Sequence, residues 1–132
     1  MRIVFYRLSA KFLERQEDVP KSAKNVVYHA LAIGHHVGVF DCFEPVLRCS
    51  GELWERLLAA LPEGEARRKL AGIDRFGEIT IDRTHTALLG RALEEARPCF
   101  DDEVTAWSDG LQASLAAIEL EPAIYLMGRR LP

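Results

Sequence analysis

His35, His36, Asp41 and Cys42 stand within eight positions of the stretch "AIGHHVGVFDC", interleaved with Gly34 and Gly38 and followed by Glu44 and Cys49. These residue types ligate metals, move protons and attack electrophiles, so their spacing decides what they can do together. An extended chain over 35–42 alternates its side chains between two faces. His36, Gly38, Phe40 and Cys42 then share one face, and His35, Val37, Val39 and Asp41 share the other. The adjacent histidines point apart and cannot chelate one ion as a pair. Joining His36 to Cys42, or His35 to Asp41, spans ~20 Å of strand and requires a bend at Gly38.

A zinc site usually spaces its cysteines by two to four residues, with a second ligand pair later in the chain. Six residues separate Cys42 from Cys49, and the chain has neither CxxC nor HxxxH. A tetrahedral site would need His35 or His36, Cys42, Cys49 and a fourth ligand such as His85, brought together by tertiary folding. A disulfide between Cys42 and Cys49 meets a similar obstacle. On one helix their Cα atoms would lie ~10 Å apart, beyond bridging reach, so a turn at Pro45 is required. A nucleophilic thiol needs a base, a positive surrounding and an oxyanion hole. Cys42 instead follows Asp41, which raises a thiol pKa.

A structural role accounts for the same residues. Buried cysteine behaves as a small hydrophobe. His35 follows a predicted helix C-terminus, which favours an imidazolium. Gly34 and Gly38 suit turn or bulge positions. His29 lies at the edge of an apolar stripe and His85 near a helix start, both structural placements. Arg67, Arg68 and Lys69 in "EARRK" form a solvated basic face that could also dock an acidic peptide. "GRRLP" at 128–132 is a basic C-terminal end. No phosphate-binding glycine loop or serine elbow is present.

The elements that must position these residues follow from patterning. "IVFYRL" at 3–8 predicts a strand. Ser9 is a candidate cap for a short helix to residue 16. Asp18 caps the next helix, with Pro20 in its first turn and Ala23, Val26, Val27, Ala30 and Leu31 on one stripe ending at Gly34. Residues 36–42 predict a strand or extended loop. Leu53, Trp54, Leu57, Leu58 and Leu61 predict a helix over about 51–61. "EARRKLAG" reads as one or two helical turns stopped by Gly72. "GEITID" at 77–82 predicts a strand, and Asp82 or Thr84 caps a helix that Pro98 terminates. Val104, Trp107, Leu111, Leu115 and Ile118 predict a helix over 101–119, and "AIYLM" at 123–127 a last strand. The expected fold is α+β: one domain over 1–132, with about four strands covered by helices. Parallel crossovers and an antiparallel sheet with helices on one face both fit this order.

The chain has 132 residues, 48% hydrophobic and 28% charged, with a formal net charge of −3. That length buries roughly two thirds of the unfolded surface in one ordinary domain. The charge gives no field that would draw nucleic acid or acidic lipid. No apolar run reaches the ~20 residues of a bilayer span. Arg2, Arg7 and Lys11 interrupt the N-terminal segment, which lacks a signal peptide's apolar core. A cytoplasmic protein that is not membrane-embedded is expected. Three cysteines, an odd count, argue against a disulfide framework.

"VFYRLSAKF", "VVYHALAIGHHVGVFDCFE", Cys49, "EARRKL", "FGEITID" and "AIYLMGRRL" fall in one register over nearly the whole chain. In this the chain resembles the formate hydrogenlyase maturation proteins, the HycH-type family. The resemblance implies a cytoplasmic accessory factor, not an enzyme. Its partner would be the precursor of the nickel–iron-bearing large subunit of a hydrogenase, which it helps convert to the mature form. It would be neither the C-terminal endopeptidase nor a subunit of the finished complex. Carried over by position, the family's motif falls on Gly34, His35, His36, Gly38, Asp41, Cys42, Glu44 and Cys49, as a partner-recognition patch with no catalytic role and no resident cofactor. A rival reading is a metal-handling or thiol-redox protein holding nickel, iron or zinc transiently on His35, His36, Cys42 and Cys49. A cysteine hydrolase acting through Cys42 is the third. Two positions depart from the family pattern: Cys99 lies outside it, and Gly128 stands where an apolar strand residue is expected.

Overall fold

The structure is a computed structural model that describes residues 1–12 and 39–132, with side chains described for 1–8 and 44–132. The predicted helix over 18–34 and the motif residues Gly34, His35, His36 and Gly38 lie outside the described residues.

The β-branched and aromatic N-terminal run forms β1, Arg2–Phe12. The short helix expected from Ser9 does not form over 9–12. These residues continue the strand because β2, Val39–Ser50, supplies a pairing partner at each step from Ser9↔Cys42 to Phe12↔Val39. β2 itself runs well past the expected end at residue 42. Pro45 makes no turn in it: Phe5 pairs with Leu47 and Tyr6 with Pro45, leaving Val46 as the extra residue of a bulge. Among the described strands β2 lies at the sheet edge, a position that tolerates proline.

Ser50 ends β2 and caps α1, Gly51–Ala60, its hydroxyl accepting from the Leu53 N–H at 3.1 Å. α2 spans Glu65–Phe76, longer than the one or two turns expected. Gly72 does not stop it. A Cβ there would meet Ile79 Cγ2 at 2.9 Å, so this glycine lets the helix lie close to the neighbouring strand. The stop is Gly77, at φ 86°, where a residue with a side chain would be strained.

β3, Glu78–Ile81, leads to α3, Arg83–Ala96, capped by Asp82 on the Thr84 N–H at 2.9 Å. A single 3₁₀ turn at Arg97–Cys99 precedes α4, Asp102–Leu120. β4, Ile124–Leu131, outruns its prediction. Gly128 does not weaken it: a Cβ there would meet Ile73 Cδ1 at 2.7 Å and Phe5 Cε1 at 2.8 Å. The missing side chain is the space those two core residues fill.

The sheet order is β2-β1-β4-β3, with every neighbouring pair antiparallel, so the parallel crossovers left open by the element order are not used. Ile3, Phe5, Ile79, Ile81 and Leu126 face the four helices and join Leu57, Leu70, Leu89, Leu93, Leu111 and Ile118 in one apolar cluster. Each such side chain contributes roughly 1.5–3 kcal/mol by leaving water. Phe5, Trp54 and Trp107 meet at its centre with ring centroids 5.7–5.8 Å apart. Both indoles have acceptors, Asp74 Oδ2 for Trp54 and the Arg48 carbonyl for Trp107. Val4 and Leu8 point to the other face of the sheet, outside that cluster, and are also buried.

Candidate partner-recognition site

β4 pairs with β1 only as far as Ser9↔Ile124. Beyond it, Ala10–Phe12 pair with Val39–Asp41 alone, so β1 and β2 leave the sheet as a two-stranded ribbon. Phe12↔Val39 is the outermost pair among the described residues. Asp41 has its backbone on this ribbon, and Cys42 stands at its root, opposite Ser9 in the last row that β4 joins.

Glu44 lies two residues further into the sheet. Its carboxylate accepts from Arg7 Nη2 at 2.7 Å, and Arg7 is its register partner on β1. Both side chains are exposed, at 40% for Arg7 and 54% for Glu44, so the pair contributes about 0–1 kcal/mol. Arg7 was not singled out from sequence, because only the strand register puts it opposite Glu44.

Cys49 sits elsewhere. It faces inward opposite Ile3, half-buried against the apolar cluster, and desolvation pushes its thiol up to about 12. A thiol held protonated in this way is neither a nucleophile nor a ready metal ligand. Seven steps of strand separate it from Cys42, roughly 23 Å of backbone at 3.3 Å per residue. The turn that a disulfide required is absent, and Cα atoms that far apart cannot be bridged. One ion likewise cannot take both cysteines as ligands. The expected set thus divides: Asp41 lies on the ribbon, Cys42 at its root and Glu44 exposed within the sheet, while Cys49 is part of the core wall. No group of three or more His, Cys, Asp or Glu among the described residues is placed to hold a metal.

The other residues of chemical interest have local tasks. His85 Nδ1 accepts the Asp82 N–H at 3.1 Å and completes the capping box of α3. Hydrogen bonds from the Thr84 hydroxyl and N–H hold the Asp82 carboxyl below the usual carboxylate range. Cys99 is exposed at the rim of a groove of about 480 Å³ between α1 and the start of α4, far in the chain from the ribbon. Arg56 crosses that groove to Asp101 and Glu103, at 2.5 Å each, and these hydrogen bonds raise its guanidinium pKa further. No helix among the described residues is long and apolar enough to cross a membrane.

Fold and site together define a class: an α+β protein whose described helices all pack on one face of an antiparallel sheet, with a β-ribbon extending past the end of β4. The particular family follows from comparison. The model of the formate hydrogenlyase maturation protein HycH family matches residues 2–130, and the chain belongs to that family. It is 44% identical over 131 residues to the formate hydrogenlyase maturation protein HycH of Escherichia coli (strain K12), covering 98% of this chain and 96% of that one. It is 45% identical over 132 residues to hydrogenase-4 component J of the same strain, covering 98% and 94%. No solved structure matches the chain.

Proposed function

We propose that the protein is a non-catalytic accessory factor of hydrogenase maturation. It binds the precursor of the nickel–iron large subunit of a formate hydrogenlyase in the cytoplasm and promotes conversion to the mature form. The whole chain acts as one domain. The observation that carries this reading is the division of the motif: Asp41 belongs to a ribbon that runs past the end of β4, Cys42 stands at its root and the exposed Glu44 two residues further in, whereas Cys49 packs against the core. A polar, glycine-flanked sequence next to such a ribbon suits recognition of another protein. The names of the two relatives, a maturation protein and a hydrogenase component, support a hydrogenase-linked role.

The recognition patch is then Gly34, His35, His36, Gly38, Asp41, Cys42 and Glu44, with Cys49 supporting β2 from the core side. The test is co-purification of the tagged protein with precursor and with processed large subunit. Retention of the precursor at least about tenfold above the processed form is expected, a difference of ~1.4 kcal/mol. Equal retention of both, or of neither, sinks the proposal.

A further inference from the structure

The sheet face turned away from the described helices carries a second feature. Partners in an antiparallel register share a face. Val4 pairs with Arg48 on one side and Arg129 on the other, so these two arginines flank it on the face away from the cluster. Arg2 lies two residues back along β1, on the same face by strand alternation. The three side chains start from positions about 7–10 Å apart, close enough for their guanidinium groups to converge. All three are exposed, whereas Val4 between them is 4% exposed.

Their charges are largely unspent. Arg129 uses Nε and Nη2 on one carboxylate oxygen of Glu78, at 3.0 and 2.8 Å. Arg2 and Arg48 have no ion pair and no side-chain hydrogen bond among the described residues. The cluster therefore holds two free planar forks and a third half-used one, in a chain whose formal net charge is −3. Guanidinium forks of this kind match carboxylates two bonds at a time. The next row of the same face, Pro45, Tyr6 and Met127, is apolar or amphipathic and at least partly exposed.

We propose that Arg2, Arg48 and Arg129 form a docking face for an acidic segment of a partner protein, carboxylates on the arginines and an apolar side chain on the Tyr6–Met127 row. A protein segment fits better than a nucleic acid. The basic surface is one compact triangle rather than a stripe that tracks a phosphate backbone, and the acidic remainder of the chain repels a long polyanion. The inference deepens the reading of the protein as a binding factor, and places a second contact on a different surface from the ribbon.

The test is an NMR titration of the full chain with a short synthetic peptide rich in Glu with Leu between the carboxylates. An oligonucleotide of equal charge forms a second arm. Saturable shifts at the Arg2, Arg48 and Arg129 Nε–Hε signals are expected with the peptide, weakening as salt is raised to ~0.5 M. The double reversal Arg2→Glu/Arg48→Glu should weaken binding at least about tenfold, whereas Arg67→Glu/Arg68→Glu on α2 changes it less than about twofold. Three results overturn the proposal: no saturable shift at these arginines, equal loss in the α2 variant, or tighter binding of the oligonucleotide to the same residues. Circular dichroism of each variant separates loss of the face from loss of the fold. Association with the large-subunit precursor is followed in parallel. If the wild-type chain ignores the precursor yet binds the peptide through its arginines, the client assignment fails and the docking face stands.

Discussion

Cys49 and Cys99 show how far a residue's type falls short of its chemistry. Both are free thiols, but Cys49 is half-buried against apolar side chains and Cys99 is exposed. Alkylation with iodoacetamide at pH 8, read by peptide mass spectrometry, should label Cys99 well before Cys49. Comparable rates at the two sites would contradict the placement of β2. The raised thiol pKa of Cys49 also has a stability consequence. The folded state keeps its proton to about pH 12, while the unfolded chain releases it near 9. The unfolded state then binds fewer protons, so this group's contribution to stability falls as pH rises from 9 toward 12. Cys49→Ala should flatten that part of the denaturation-against-pH curve relative to wild type. Spacing had already weakened the case for a shared Cys42–Cys49 site. The inward orientation of Cys49 was not readable, because it depends on the bulge at Val46 and on pairing with Ile3.

At the scale of elements, periodic apolar patterns located the four described helices and four strands, and misjudged where several of them end. Local signals name a cap or a breaker; tertiary partners decide whether it acts. Asp82 caps α3 as expected, while Ser9 starts no helix over 9–12 because β2 offers those residues a strand partner. Gly72 and Gly128 look like weak points in a helix and a strand, and each is a site of close approach to another element. Gly128→Ala drives a methyl group into Phe5 and Ile73. It should lower unfolding free energy by about 1–3 kcal/mol in a urea titration, the usual cost of overpacking. A neutral or stabilising result would mean that β4 does not press on the core there. For the candidate site, the residue types and their order along the chain were readable, and their division between ribbon and core was not.

For the molecule as a whole, the antiparallel order could not be chosen from the alternation of strands and helices, which suits crossovers equally well. What selects it is that β1 takes both β2 and β4 as neighbours and that the four described helices bury the same sheet face. Removing β4 should therefore do more than shorten an edge. A chain ending at residue 123 loses Leu126 from the core, strips β1 of one partner and leaves β3 with none. Its tryptophan emission should be that of solvated indole, with no cooperative urea transition, and a sharp transition would refute the central place given to β1.

That central place also sets a timetable. Arg2 pairs with Leu131, so a residue of β1 waits for a partner that is synthesised well over a hundred residues later. At 5–20 residues per second, the β1–β4 ladder cannot close until roughly ten seconds of synthesis have passed. During that interval the apolar face of β1 is exposed on a nascent chain, and a helper that shelters nascent chains would find its longest opportunity there.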